Sequence, residues 1–520
     1  MNEQHKPVHH VLEFIEQAAA KHPAQPAFSD CHTSVSYADL QKQAQTIGYS
    51  ISMQVFATRR PIVVFMEKCV ECLTAFFGVA ASGNFYVCID TAMAAERVRK
   101  ILECLKPAAI LKKGTTVSQT SVFAGYTVLD IDDLLCPHAE PSEVSRRLQS
   151  IRSTMIDADP LYVLYTSGST GIPKGSVISH RSVIAYAQWA SRTFHFDHTT
   201  VFGSQTPFYF SMSVLDIFCT VCCGASLQII PKKLFSFPVK LLAWLHEKKV
   251  NTIYWVPSAL SIVANWNALD YVKLPHLHTI LFAGEVMPTR QLNIWRRHLP
   301  DALYANLFGP TEITDIGLYY ILNREFADEE PIPIGYACEN MEAFAVTHEG
   351  LRAKAGEQGE LYFRGSFVGM GYYSNTEKTS EAFVQNPLHS LYPETVYRTG
   401  DLVRQNEQGE YIYLGRKDFQ IKHMGYRIEL GEIESIAAAF EKLQRAVCLY
   451  DPNKDHILLL YQGNAEKKEI LLFLQNYLPS YMLPDEIICL RSLPLNSNGK
   501  IDRKLLQEHY VEETTSCRFN

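Results

Sequence analysis

The stretch LYVLYTSGSTGIPKGS, residues 161–176, runs from an apolar strand end into a loop that gives up most of its side chain. Glycines let backbone amides come close to a ligand. The Ser and Thr hydroxyls add donors, and Lys174 adds one point charge. The usual ligand of such a nest is a phosphate. Pro173, not a glycine, precedes Lys174, so the spacing is not that of the common mononucleotide P-loop. A flexible connector is the competing reading, and the surrounding chain decides between them.

Outward from this loop, β-branched and aromatic runs alternate with amphipathic stretches. PIVVFME (61–67) precedes CVECLTAFFGVAASG, NTIYWV (251–256) precedes SALSIVANW, HTILFAG (278–284) precedes TRQLNIWRRHLP, and ALYANLFG (302–309) follows. AAIL (108–111) precedes a polar loop, and VLEFIEQAAAKHP (11–23) has helical periodicity that stops at a proline. This order predicts an α/β chain whose parallel sheets are covered by helices on both faces. Near Gly356 the texture changes. GELYFRG (359–365), VYRTGDLVRQNEQGEYIYLGRKD (396–418) and FQIKHMGYRI (419–428) read as short strands with glycine turns, a small β-rich subdomain. ELGEIESIAAAFEKL (429–443) is predicted to be a helix with an acidic start. The strand–helix alternation after it predicts a compact α+β tail. The expected domains are residues 1–418 and 419–520.

The 520 residues are 47% hydrophobic and 20% charged, an ordinary soluble composition. A net charge of −7, with basic residues in short pairs such as Arg59 and Arg60, gives no general attraction to nucleic acid. The 13 cysteines are scattered; CVEC (Cys69, Cys72) and CTVCC (Cys219, Cys222, Cys223) lie in apolar stretches and read as buried thiols, not metal ligands. No run approaches the ~18 apolar residues of a membrane helix. The polar start MNEQHKPVHH carries no signal-peptide pattern, so a cytoplasmic enzyme is expected.

Four further stretches sit at strand ends or glycine turns. NLFGPTEIT (306–314) offers Phe308, the turn at Gly309, the Thr311 hydroxyl and the Glu312 carboxylate. YRTGDL (397–402) offers Asp401, GRKDFQIKHMGYRIELGEIE (415–434) is rich in charge and glycine, and LNSNGKIDRK (495–504) holds Lys500 in a turn. A nucleotide needs such parts: a flat group over the base, a carboxylate for ribose hydroxyls, phosphate donors and an oxygen ligand for Mg²⁺. Singly they are ordinary, Asp401 as a surface turn, Glu312 as a helix start and Lys500 as a solvated charge. Together and in this order they resemble the adenylate-forming ligases: acyl-CoA synthetases, peptide-synthetase adenylation domains and firefly-type luciferases. The likeness runs over essentially the whole chain. FAGEVMP, GYRIELGEIE and PLNSNGKIDR are most similar to stand-alone amino-acid adenylation enzymes of the D-alanine–carrier protein ligase type.

That resemblance implies a large N-terminal domain and a small mobile C-terminal lid that pivots at Asp418. Thr166, Ser167, Gly168, Ser169, Thr170, Gly171 and Lys174 would wrap the β- and γ-phosphates of ATP. Phe308 would stack near adenine, with Asn306, Gly309 and the turn Ala283, Gly284, Glu285 along its edge. Thr311 would face the α-phosphate, Glu312 would bind Mg²⁺, and Asp401 and Arg416 would hold the ribose. Lys500 would reach the forming acyl–phosphate bond. The implied activity is ATP-dependent activation of a small carboxylic acid as acyl-AMP, with pyrophosphate released, then transfer to the phosphopantetheine thiol of a separate carrier protein. The C-terminal HYVEETTSCRFN holds no carrier-type serine motif, so the carrier is expected in trans. An acyl- or aryl-CoA ligase shares every motif and differs in acceptor. A non-catalytic nucleotide-binding relative would be expected to have lost Lys174, Glu312, Asp401 or Lys500, all present here.

Amino-acid adenylating relatives carry an aspartate, as F-D-x-S, that pairs with the substrate's α-ammonium. FYFSMSVLDIF puts Ser211 there, and a neutral hydroxyl cannot compensate a desolvated ammonium. Asp216 reads as structural. By motif spacing Met212, Leu215, Trp255, Leu281, Ala283, Leu307, Asp315 and Ile316 line the acyl pocket. Asp315 is either a helix-start cap or an amine-binding charge that has moved, as a β- or ω-amino acid would require. An acid without an amine is the third reading.

Overall fold

Continuous apolar runs become buried strands because both faces of a helix-flanked sheet exclude water. The computed structural model describes residues 8–114, 120–136, 139–167, 173–418, 420–494 and 501–512. They form two compact units. The first holds the chain up to Thr91, Leu105–Leu164 and Gly175–Lys417; the second holds Ala92–Cys104, Tyr165–Lys174 and the chain from Asp418.

In the first unit a nine-stranded sheet has the order Tyr336–Ala337, Leu318–Ile321, Leu303–Phe308, Thr279–Phe282, Thr252–Trp255, Val201–Ser204, Ser226–Ile229, Pro26–Ser29, Ser34–Ser36. The strands from Leu303–Phe308 to Pro26–Ser29 run parallel, as expected. Both margins, however, are antiparallel. The reason is connection length: Leu303–Phe308 returns as Leu318–Ile321 after too few residues for the crossover that a parallel neighbour needs. A second sheet has the order Val128–Asp130, Ala109–Lys112, Pro61–Phe65, Phe85–Ile89, Pro160–Thr166, Lys174–Ser179.

The helices Tyr37–Gln54 and Val70–Ala81 touch where glycines stand. A Cβ on Gly78 would lie 2.4 Å from Ile47, and one on Gly48 2.6 Å from Ala81. The β-rich subdomain begins at Met341–Val346, earlier than the Gly356 signal, because that strand pairs antiparallel with Gln358–Gly365 across the turn containing Gly350. Thr395–Gln405, Phe383–Gln385 and Tyr411–Arg416 complete it.

The second unit carries the hairpin Gln420–His423 and Tyr426–Glu429 and the sheet Leu443–Asp451, His456–Gly463, Glu486–Cys489. Its helix Leu430–Ala438 stops short of the predicted residue 443, because Leu443 opens a strand registered on Gly463 and buries its side chain in that unit's core. In the two cysteine clusters, Cys72 and Cys219 are buried and Cys69, Cys222 and Cys223 partly buried; burial pushes the Cys72 thiol well above its usual range. Among the described residues no helix is long and apolar enough to cross a membrane.

Candidate active site

The strand Leu303–Phe308 ends at Gly309, where the chain makes a tight return. Gly317 N donates to Phe308 O (2.9 Å). Thr311–Ile313 form one turn of 3-10 helix, and Thr314 takes φ 75°, ψ −63°. Asp315 N donates to Ile313 O at 2.9 Å, so Thr314 is the centre of a γ-turn of the rare, strained hand. A β-branched residue persists there only when its surroundings hold it. The Thr314 hydroxyl donates to Phe367 O (2.8 Å).

This turn aims two acids apart. Glu312 is fully buried and its Oε1 accepts the Tyr372 hydroxyl at 2.7 Å, while Gly369 N donates to Glu312 O (2.8 Å). Asp315, also buried, accepts the hydroxyls of Tyr186 (2.7 Å) and Tyr254 (3.1 Å) on Oδ2. Burial first, and the Asp315 charge second, push both phenols well above their usual range, so they remain donors. Asp315 caps no helix: it follows a three-residue turn and precedes the strand Leu318–Ile321. Glu312 likewise lies within the short turn Thr311–Ile313 and starts no α-helix.

Asp401 and Arg416 are cross-strand partners in the β-rich subdomain. Arg416 Nη1 donates to Asp401 Oδ1 (3.0 Å) and to Thr399 O (2.9 Å), and Asp401 N donates to the Thr399 hydroxyl (2.9 Å). Asp401 is buried, not the surface residue its turn suggests. Phe308 packs with its ring 5.7 Å from that of Tyr413. Asn306 Nδ2 donates to Pro333 O (2.9 Å). Gly284 takes φ 93°, a turn that favours glycine, and the next residue, Glu285, accepts Ser258 N (2.8 Å). The Thr311 hydroxyl donates to that of Ser211 (3.3 Å), which sets Ser211 beside the turn that carries Glu312.

Met212, Leu215, Trp255, Leu281, Ala283, Leu307 and Ile316 all belong to the main core of the first unit. Trp255 Nε1 donates to Gly203 O (2.9 Å). Asp216 is buried, and among the described residues its carboxylate oxygens have no hydrogen-bond partner. Its charged neighbour is Lys68, whose Nζ donates to Ser204 O (2.9 Å) and Oγ (3.0 Å). Burial pushes Asp216 up and Lys68 down, each partly offset by the other's charge. Sequence reasoning missed Lys68, Tyr186, Tyr254 and Tyr372. A lysine just past the end of a buried parallel strand was the one visible signal.

The described residues of the glycine-rich loop lie in the second unit. The Ser167 hydroxyl donates to Arg427 O (2.7 Å) and accepts from Glu429 N (3.2 Å), and Lys174 Nζ lies 3.5 Å from Glu429 Oε1. Thr166 Oγ1 is 3.5 Å from Lys174 O. Gly168, Ser169, Thr170, Gly171 and Lys500 lie outside the described residues. Asp418 opens the second unit, its Oδ1 accepting Gln420 N (3.2 Å).

Residues 15–373 match the family model of AMP-binding enzymes. The chain is 30% identical over 516 residues to a D-alanine–D-alanyl carrier protein ligase of Lacticaseibacillus casei (strain BL23), a match covering 96% of this chain and 99% of that protein. A ligase of the same name from Bacillus cereus (strain Q1) is 30% identical over 511 residues, 95% and 98% of the two chains. The fold is similar to that of the Vibrio cholerae adenylation domain AlmE, solved with glycyl-adenosine-5'-phosphate. The TM-score is 0.82 at 20% identity, over 98% of this chain and 99% of that one.

Proposed function

Because the chain belongs to the AMP-binding enzyme family, we propose that it activates a small carboxylic acid, an amino acid or a near relative, with ATP and hands it to a separate carrier protein. The observation that carries the reading is the near full-length match to carrier protein ligases. The pairs Tyr372–Glu312 and Arg416–Asp401, with both acids buried, support it. In the first step a substrate carboxylate oxygen attacks the α-phosphorus, and the bond to pyrophosphate breaks. In the second a carrier thiol attacks the acyl carbonyl, and AMP leaves.

Asp401, held by Arg416 and Thr399, would accept the ribose hydroxyls, and Phe308 would cover the base. Thr311 would donate to the α-phosphate. Glu312 fits Mg²⁺: it is a hard carboxylate oxygen donor steadied by a phenol. Among the described residues no group of three or more His, Cys, Asp and Glu could hold a metal, and magnesium carried on phosphates needs only one or two carboxylates. Bound there, it would offset the charge of two anions meeting. Lys500 is the second cation we assign to that moment, on family likeness. The chain from Asp418 would be the lid, turning at Asp418 between the two steps, with Gly425 facing the thiol afterwards.

Asp315 supports a substrate whose amine is displaced from the α-position, since Ser211 offers no charge and Asp315 is a buried carboxylate in a tyrosine ring.

Lys500→Ala tests the assignment. It should lower pyrophosphate exchange by about 10²–10³ while ATP still binds, and near-normal exchange rejects the role. Transfer of labelled acyl groups to carrier proteins rather than to CoA decides the acceptor.

A further inference from the structure

An apolar stripe leaves the nucleotide edge of the first unit along its surface. It begins at Val286, next to Glu285, whose carboxylate holds Ser258 N in the first turn of the helix Pro257–Asn265. Ile262 and Trp266 follow at successive four-residue steps from Ser258, which share one helix face. Tyr271 comes just past the short turn Ala268–Asp270. The exposures are 67% for Val286, 41% for Ile262, 69% for Trp266 and 75% for Tyr271. From Ser258 to Trp266 the rise is roughly 12 Å.

The neighbouring helix Thr289–His298 edges the stripe. Gln291 Nε2 reaches Asn265 Oδ1 (3.1 Å) and His298 Nε2 meets Asp270 Oδ1 (2.8 Å), fixing which side of that helix faces it. At about 100° per residue, Arg290 and Arg297 share one strip of that helix, a quarter-turn outward from Gln291 and His298 and away from the buried Leu292 and Trp295. Both arginines are exposed, as is Lys273, and none of the three has an ion pair among the described residues. The local acids are engaged, Asp270 by His298 and Glu285 by Ser258 N. A positive rim around exposed aromatics, on a chain of net charge −7, is the pattern of a protein interface with a Trp/Tyr centre and charged margin. Nucleic acid does not fit it, since three isolated cations on a chain of net charge −7 make no continuous basic footprint for a phosphate backbone.

We propose that this stripe docks the acceptor: an acidic carrier protein seats an apolar helix on Ile262, Trp266 and Tyr271, with its acids on Lys273, Arg290 and Arg297. The proposal rests on the carrier protein being the acceptor, and it adds where the carrier sits and which charge it must bear.

The test uses the full-length enzyme and a holo carrier that it loads, chosen from a panel of purified carriers with a labelled acyl group. Trp266→Ala and Arg297→Glu should each raise the KM for that carrier about tenfold or more. Pyrophosphate exchange and thioester formation with free pantetheine should stay at wild-type rates. Added salt should weaken carrier loading by the wild type and have less effect on Arg297→Glu. An unchanged carrier KM in both variants overturns the proposal, and so does equal loss with carrier and pantetheine. Oligonucleotide binding that Trp266→Ala abolishes while carrier loading is untouched also overturns it. If exchange persists and no carrier is loaded, the carrier reading itself fails and this proposal falls with it.

Discussion

Gly309→Ala probes the turn that carries both acids. A Cβ at residue 309 would lie 2.2 Å from Asp315 O, 2.7 Å from Ile316 Cα and 2.9 Å from Gly317 N, all of them backbone. To reach the 3.4 Å of ordinary contact, the Asp315 carbonyl must move by about 1.2 Å. No flexible side chain can absorb this, and the residue before Asp315 already sits in a strained γ-turn. Overpacking of this kind costs about 1–3 kcal/mol, a melting shift of roughly 1–4 °C in a unit of this size. The catalytic cost should be larger, because Thr311, Glu312 and Asp315 ride on the displaced segment. A misplacement of about 1 Å in a positioned group can cost on the order of 10²-fold in rate. Pyrophosphate exchange at saturating ATP, measured beside a thermal melt, separates the two effects. A variant with wild-type exchange and a wild-type melt would refute the argument that this return is packed to contact and positions the acids.

Three further outcomes are expected. Asp315→Asn keeps an acceptor for Tyr186 and Tyr254 but removes the charge. Exchange with a β- or ω-amino acid should fall about 10-fold or more and that with amine-free acids little; strong turnover of an ordinary α-amino acid, indifferent to the change, defeats the displaced-amine reading. Asp418→Pro, which fixes φ near −65°, should spare acyl-AMP formation and cripple thioester formation, whereas equal loss in both steps counts against a pivot there. His180 is buried and its Nδ1 accepts Val11 N at 3.3 Å; burial, with the His10 charge second, lowers its pKa from 6.5 to about 3. The folded state therefore keeps it neutral, the unfolded chain binds the proton first, and stability falls as pH drops from 6.5 toward 3, by roughly 1.4 kcal/mol per pH unit. His180→Gln should flatten that acid limb in melts taken across this window, and an unchanged slope would show that another group sets it.

The order of apolar runs, glycine turns and charged motifs by itself determined the α/β class, the β-rich insertion and the likeness to adenylate-forming enzymes. Each of these is carried by short segments whose periodicity or turn chemistry is local. What tertiary structure decided is who meets whom. Tyr372 lies 60 residues from Glu312, and Tyr186 and Tyr254 lie 129 and 61 residues from Asp315; no pattern in the chain marks these tyrosines off from the rest. Lys68 and Asp216 share a buried polar site although each reads locally as an ordinary charge. The helix after Glu429 ends early because a strand partner elsewhere claims Leu443, and the main sheet closes with antiparallel margins because of where the chain turns back. Burial and strand partnership are long-range outcomes of packing. Local periodicity announces that a side chain will be buried, and only the assembled sheet settles what it is buried against.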